Sequence, residues 1–403
     1  MPKEKSPESI VGAERFQSRP EDRTIRWRVA IAMASAALVT FLVSHVLART
    51  PALAERLYGT GFWPLVSRPI ARLTAVLPFA LHEWLAFGYA LYLAIIGFRG
   101  IRAAIGRRRG WANALAAGAH RAVRHASVLI VLFYVLWGFN YARPTFEARA
   151  GWPDWEGIEP AELINLTETA VLAANAAYRE LHGTDDAGAP TTLPAEAGRL
   201  EAALDTGWTR AAEQLDLPRA TGRPFGRVKW PLVSPILGRL GIVGVYVPFT
   251  AEANVLRGMP AMRAPTSMAH EMAHQRGVTT EAEATFLGLI AAALAPHPLA
   301  RYSAAVSASA HLAGALLRVD ADALRRISAL RLPGIRRDQA DLEAYFERFE
   351  GPAQQVGTAI NDRYLRANRI PGGTANYGRA IRLLITYSRL HGPGVLPDRP
   401  PGE

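Results

Sequence analysis

His270, Glu271 and His274 lie in the stretch SMAHEMAHQRGVTTEAEATF, Ser267 to Phe286, and spell H-E-x-x-H. On a helix, positions i and i+4 share a face. The two imidazoles can therefore present nitrogens to one metal ion while Glu271 stands beside it. That spacing is the core of a zinc hydrolase, with two histidine ligands and a carboxylate that moves the proton of a water. Catalytic zinc takes a third protein ligand and leaves a position for water. Gly277, three residues after His274, is placed to end the helix and turn the chain, as it does in H-E-x-x-H-x-x-G-x-x-H sequences. Where that pattern needs its third histidine, this chain has Thr280, which is not a credible zinc ligand.

Two carboxylates follow, and Glu281 is the preferred third ligand, with Glu283 the runner-up. Glu281 opens E-A-E-A-T. This is similar to the E-x-x-A-D/N stretch on the glutamate-ligand helix of many zincins, where the side chain at plus four supports a histidine ligand. Thr285 occupies that position and could act through its hydroxyl. Glu283 has another use, because Thr280-x-x-Glu283 reads as a capping box at the start of the next helix. His182, His297 and His311 read as solvated or packed residues.

The elements that must hold these residues are a helix starting at about Ser267 and a strand before it. GIVGVYVPFT, Gly241 to Thr250, is the best strand in the chain: β-branched and aromatic, opened by Gly and closed by Pro248. It is placed to pair with an extended substrate along its edge, with Glu252 and Asn254 in its extension as candidate substrate-binding or turn-shaping residues. Further helices read as Glu159 to Leu181, a second to about Leu215, Asp320 to Ser328, Asp338 to Glu347, Ala353 to Ala367 and Tyr377 to Leu390. Tyr377 and Arg379, on the last, are candidate oxyanion stabilisers, with packing as the competing role for each.

Before this domain the chain is of another kind. Val29 to Ala48, Phe79 to Phe98 and Ala126 to Tyr141 read as three membrane spans, each near the roughly 20 apolar residues a helix needs to cross the hydrocarbon. The net charge of +11 is almost all arginine, since only Lys3, Lys5 and Lys229 are lysines. Arginines crowd the N-terminal flank and the second connection (Arg99 to Arg124), whereas the first connection has few. Basic connections stay cytoplasmic. The expected topology has a cytoplasmic N-terminus and an extracytoplasmic domain after the third span. The basic excess is then explained by topology, and nucleic acid is not an expected partner. The absence of cysteine excludes disulfides, iron–sulfur clusters and thiol catalysis.

Four motifs in order carry a family resemblance: LWGFNYARP at the exit of the third span, GVYVPFTAEANV before the histidines, AHEMAHQRG with EAEATF at them, and NDRYLRAN with NYGRAIRLL near the end. Together they resemble a family of bacterial integral membrane proteins known as domain of unknown function 3810, with a zincin-like active-site sequence. Members usually carry E-A-N-F where this chain has Glu283-Ala284-Thr285-Phe286. The resemblance implies a membrane-anchored, metallopeptidase-like protein and supplies no substrate.

The expectation is therefore a mainly α protein: three N-terminal transmembrane helices, then a mostly helical zincin-like domain with a small β-sheet. Its divisions are a disordered tail (1–25), a membrane region (26–142), the metallopeptidase domain (143–390) and a flexible end (391–403). It is expected to sit in the bacterial inner membrane and to hydrolyse peptide or protein substrates with Zn²⁺ on His270, His274 and Glu281 and Glu271 as general base. The lipid bilayer is its other expected partner. The competing class is a non-enzymatic membrane sensor or assembly factor with a structural or vestigial metal site. The presence of Glu271 argues against it, because a structural site has no use for a base.

Overall fold

A computed structural model describes residues 20–106, 111–153, 157–367 and 377–397. In chain order come α1 (Pro20–Arg49), α2 (Pro51–Leu53), a π-helical segment (Ala54–Phe62), α3 (Trp63–Ala75), α4 (Leu81–Ile105), α5 (Trp111–Leu136) and a 3-10 turn (Gly138–Ala142). Then follow α6 (Phe146–Ala150), α7 (Pro160–His182), α8 (Ala197–Gln214), α9 (Arg219–Gly222) and α10 (Ser234–Arg239). The strands β1 (Gly244–Val247) and β2 (Glu252–Val255) precede α11 (Ala264–Gln275), α12 (Glu281–Ala293), α13 (Pro298–Leu316), α14 (Ala321–Ser328), α15 (Pro333–Glu347), α16 (Pro352–Ala367) and α17 (Tyr377–His391). The protein is mostly helical with one small sheet, as its sequence suggests.

Among the described residues, three helices are long and apolar enough to cross a membrane: Thr24–Arg49, Leu81–Ile105 and Trp111–Leu136. The third lies earlier in the chain than the window Ala126 to Tyr141. Its middle holds His120, Arg121, Arg124 and His125, which dilute the apolar signal there. At the other end, Trp137 leaves the helical region (φ −153°) and the chain turns through Gly138–Ala142. Two side chains from the connection between the first two spans cap the end of α5: the Tyr58 hydroxyl and the Trp63 indole N–H donate to the carbonyls of Val135 and Leu136, each at 2.8 Å.

The chain forms two compact units that are not contiguous in sequence. One contains the chain up to Ser44 together with Tyr89–Tyr134; the other contains His45–Gly88 and everything from Val135. In the first, aromatic and histidine rings meet between helices, as where Tyr89 and Tyr92 approach His125 at 5.7 and 5.8 Å. The second includes the connection between the first two spans. It is helical, and α3 is amphipathic, with Trp63, Ser67, Ala71 and Thr74 on its buried side.

Within the second unit α12 is the central helix. It is buried on all sides from Phe286 to Ala293, as an all-apolar helix must be. It packs on α8, α11, α13 and α17. Phe286, Trp208, Tyr302, Met268 and Leu204 are core residues around it. Gly288 lets α12 approach α11 closely, since a β-carbon there would stand 2.9 Å from the backbone nitrogen of His270.

The sheet is an antiparallel hairpin, with Gly244 opposite Val255 and Val247 opposite Glu252. This corrects the single strand over Gly241 to Thr250. The strand stops at Val247 because Pro248 has no N–H to donate. The chain then turns through Pro248–Ala251, with Ala251 at φ 51°. The returning strand, Glu-Ala-Asn-Val, is rich in residues depleted from strands, so nothing in its composition announces it.

Candidate metal centre

The H-E-x-x-H stretch lies on α11, and its two histidines share a face. Gly277 ends the helix in the left-handed region at φ +86°, with Val278 N–H closing back on the Ala273 carbonyl at 3.2 Å. This is the αL helix ending that glycine favours. The turn delivers Thr280 to the cap of α12, where its hydroxyl accepts from Glu283 N–H at 3.3 Å. Glu281, the first residue of α12, is thereby brought back to the histidines. Arg143 supports the turn from outside, donating to the Gly277 carbonyl at 3.0 Å and to Glu55 at 2.6 and 2.9 Å.

His270, His274 and Glu281 each offer a ligand atom within 4.8 Å of the others. His270 Nε2 lies 3.1 Å from Glu281 Oε2, and His274 Nε2 lies 3.8 Å from Glu281 Oε1. The other ring nitrogens are also engaged. His274 Nδ1 is 2.7 Å from the Val278 carbonyl. A carbonyl can only accept, so Nδ1 carries the hydrogen and Nε2 keeps its lone pair when the ring is neutral. Thr285 Oγ1 is 3.3 Å from His270 Nδ1, the supporting position that its spacing from Glu281 indicates. Outer partners of this kind set the tautomer and aim of metal-binding histidines.

The electrostatics agree with a cation site. Burial pushes the Glu281 carboxyl up, but the hydrogen bond with His270 and the charges of the two imidazoles hold it down to about 2. It is ionised at neutral pH. Burial also lowers the pKa of His274, which favours the neutral, ligating ring. Two nitrogens and one carboxylate oxygen are a donor set that zinc accepts.

Glu271 is different in kind. It is buried, and burial together with the charge of Glu281 raises its pKa well above the usual carboxylate range. Its Oε2 has no hydrogen-bond partner among the described residues. Its Oε1 lies against the backbone of β1 at Gly244. On the same strand, the buried Tyr246 hydroxyl is also without a hydrogen-bond partner among the described residues, and its ring packs on Trp137 at 4.8 Å. Trp137 in turn stands edge-on to His274 at 6.3 Å.

The other candidates go elsewhere. Glu283 is buried, and its carboxylate accepts from Phe146 N–H at 3.1 Å, Arg149 at 3.2 Å and Arg379 at 2.9 Å. It ties α6 and α17 to α12. Arg379 also holds Glu147, so its guanidinium is committed to two carboxylates. Glu252 accepts from the N–H groups of Leu81 and His82 at 2.8 and 3.0 Å and from the Thr250 hydroxyl at 2.9 Å; it caps the start of α4. Asn254 donates to the carbonyls of Val245 and Glu252, each at 3.0 Å, inside the hairpin. The Tyr377 side chain lies outside the described residues.

Sequence reasoning missed Gly244, Tyr246 and Trp137 as neighbours of the site. The first two could have been found from strand alternation, which puts positions two apart on one face; Trp137 carried no signal beyond its place at the end of a span. Glu83 lies near the start of the second span, where its position in the sequence suggests exposure at the membrane edge. Glu83 is in fact buried, accepting from the N–H groups of Leu232 and Val233 at 3.0 and 2.7 Å.

No curated protein and no solved structure matches the chain. Residues 58–385 match a family described as proteins of unknown function, DUF3810. The match runs from the first connection to the last helix and takes in the hairpin, α11 and α12, and the chain belongs to that family.

Proposed function

We propose that the protein is a membrane-anchored zinc peptidase whose metal ligands are His270, His274 and Glu281. The observation that carries the reading is the buried Glu271 carboxylate. It stands inside the histidine pair with one oxygen unpartnered among the described residues, and a site that merely held a metal would have no use for it. Zinc bound there would supply Lewis acidity and bring the pKa of water towards neutral. Glu271 would take the proton of the attacking water and return it to the leaving amine. The β1 edge beside Glu271 offers backbone groups with which an extended peptide can pair. The arginine distribution supports placing this domain outside the cytoplasm.

The test is complementation of a deletion strain by Glu271→Gln, which keeps size and hydrogen bonding but removes the carboxylate. The reading expects failure at normal expression, with zinc retained, because general base catalysis contributes roughly 10² to 10⁴ in rate. A sensor or assembly factor would instead be complemented by Glu271→Gln and lost with His270→Ala.

A further inference from the structure

The second unit carries an apolar belt where its hairpin meets the ends of two membrane helices. α3 buries Trp63, Ser67, Ala71 and Thr74 and turns Leu65, Leu73 and Val76 outward, the last 80% exposed. Phe79 follows, also exposed. From the globular side, the tip of the β1–β2 hairpin adds exposed Phe249, and the segment before α10 adds Leu232. Hydrogen bonds hold these pieces together. The Thr74 hydroxyl donates to the Thr250 carbonyl at 3.1 Å, and Lys229 Nζ donates to the carbonyls of Thr74 and Leu77 at the end of α3. Glu252 caps α4 one residue from the hairpin turn, while Glu83 of α4 holds the backbone of Leu232.

The geometry points to the lipid surface as the occupant of this belt. If α1, α4 and α5 each cross the membrane, residues 50–80 and everything after Leu136 stand on the same face of it. α3 then joins the exit of one span to the entrance of the next and cannot leave the bilayer surface. Its exposed side mixes leucine and valine with Arg72, and no acidic residue occurs between Arg56 and His82. An amphipathic helix with an apolar face, basic flanks and no acid lies in the plane of the interface, and arginine stems reach from there to the headgroups. The belt is also continuous with the lipid-facing side of α4, where Trp84 and Leu85 are exposed.

This seat sets the height of the metal centre. Gly244, against Glu271, is five residues from Phe249, at most roughly 17 Å at the usual strand rise per residue. From the other direction Trp137, the residue after α5, stands edge-on to His274 at 6.3 Å. Resting on the peptidase reading, the substrate class follows: a membrane-anchored polypeptide cut in its stalk, within about five extended residues of the bilayer surface.

The chain has no cysteine, so single substitutions give unique labels. Leu73→Cys, Val76→Cys, Leu232→Cys and Phe249→Cys, each spin-labelled in phosphatidylcholine–phosphatidylglycerol vesicles, are compared with Leu172→Cys and Leu330→Cys, exposed positions elsewhere in the same unit. The belt labels are expected to collide several-fold more with oxygen than with a water-soluble nickel chelate, and the two controls to show the reverse. Belt labels as open to nickel as the controls, or shielded from both probes by a covering protein, would overturn the seat. The measurement needs neither metal nor turnover. Its failure would leave the zinc reading untouched, and loss of the zinc reading would leave the seat intact.

Discussion

A β-carbon on Gly244 would stand 2.4 Å from Oε1 of Glu271. The hairpin and the histidine helix therefore meet at a point where only hydrogen fits, and the atom it makes room for is the end of a flexible side chain rather than backbone. Gly244→Ala is expected to displace the carboxylate without disturbing the fold. Zinc content should match wild type and stability should change by no more than about 1 kcal/mol. Function in the complementation assay should fall as it does for Glu271→Gln, since misplacing a catalytic group by about 1 Å costs on the order of 10² in rate. Unchanged function in Gly244→Ala would mean that the position of Glu271 does not matter.

The two glutamates of α12 should separate cleanly. On the proposed reading Glu281→Ala removes a metal ligand and breaks only its contacts with His270 and His274, so zinc should be lost while the apo protein stays folded. Glu283→Ala leaves Arg149 and Arg379 buried without their shared partner. It should keep zinc and lose about 3–5 kcal/mol of stability. Zinc binding and thermal unfolding of both variants check this; zinc loss in Glu283→Ala without unfolding would transfer the ligand role to it.

The juxtaposition of His270, His274 and Glu281 was legible in the sequence. The i, i+4 histidines, the turning glycine and the glutamate four positions before Thr285 are local spacings, and local spacing survives into the fold. Glu252, Arg379 and Glu83 were not readable in the same way. Their partners are the backbone of Leu81 and His82, the side chains of Glu147 and Glu283, and the backbone of Leu232 and Val233, all far away in sequence. A charged side chain that caps a distant helix looks, in one dimension, like one that binds a substrate. The second strand was missed for a related reason: β2 is held by its pairing and burial rather than by its own propensity.

Away from the metal centre, burial raises the Glu201 carboxyl to about 7, with Arg227 3.8 Å away opposing the shift. The folded-state pKa lies above the unfolded value. The folded protein is therefore relatively favoured below pH ~4.5, loses that advantage as pH rises towards 7, and bears the full cost of a buried charge above it. Glu201→Gln should be more stable than wild type at pH 8 by about 1–3 kcal/mol and nearly equal to it at pH 4.5. Thermal unfolding of the metal-free proteins at the two pH values checks this; a larger gain at pH 4.5 would contradict it.

The central claim is that His270, His274 and Glu281 hold a metal ion, and metal analysis of the purified protein tests it most directly. Wild type is expected to contain about one zinc per chain, as a three-ligand catalytic site would, and His270→Ala, purified identically and equally helical, essentially none. Undiminished zinc in His270→Ala, or a wild-type protein that takes up no zinc when supplied with it, would contradict the account.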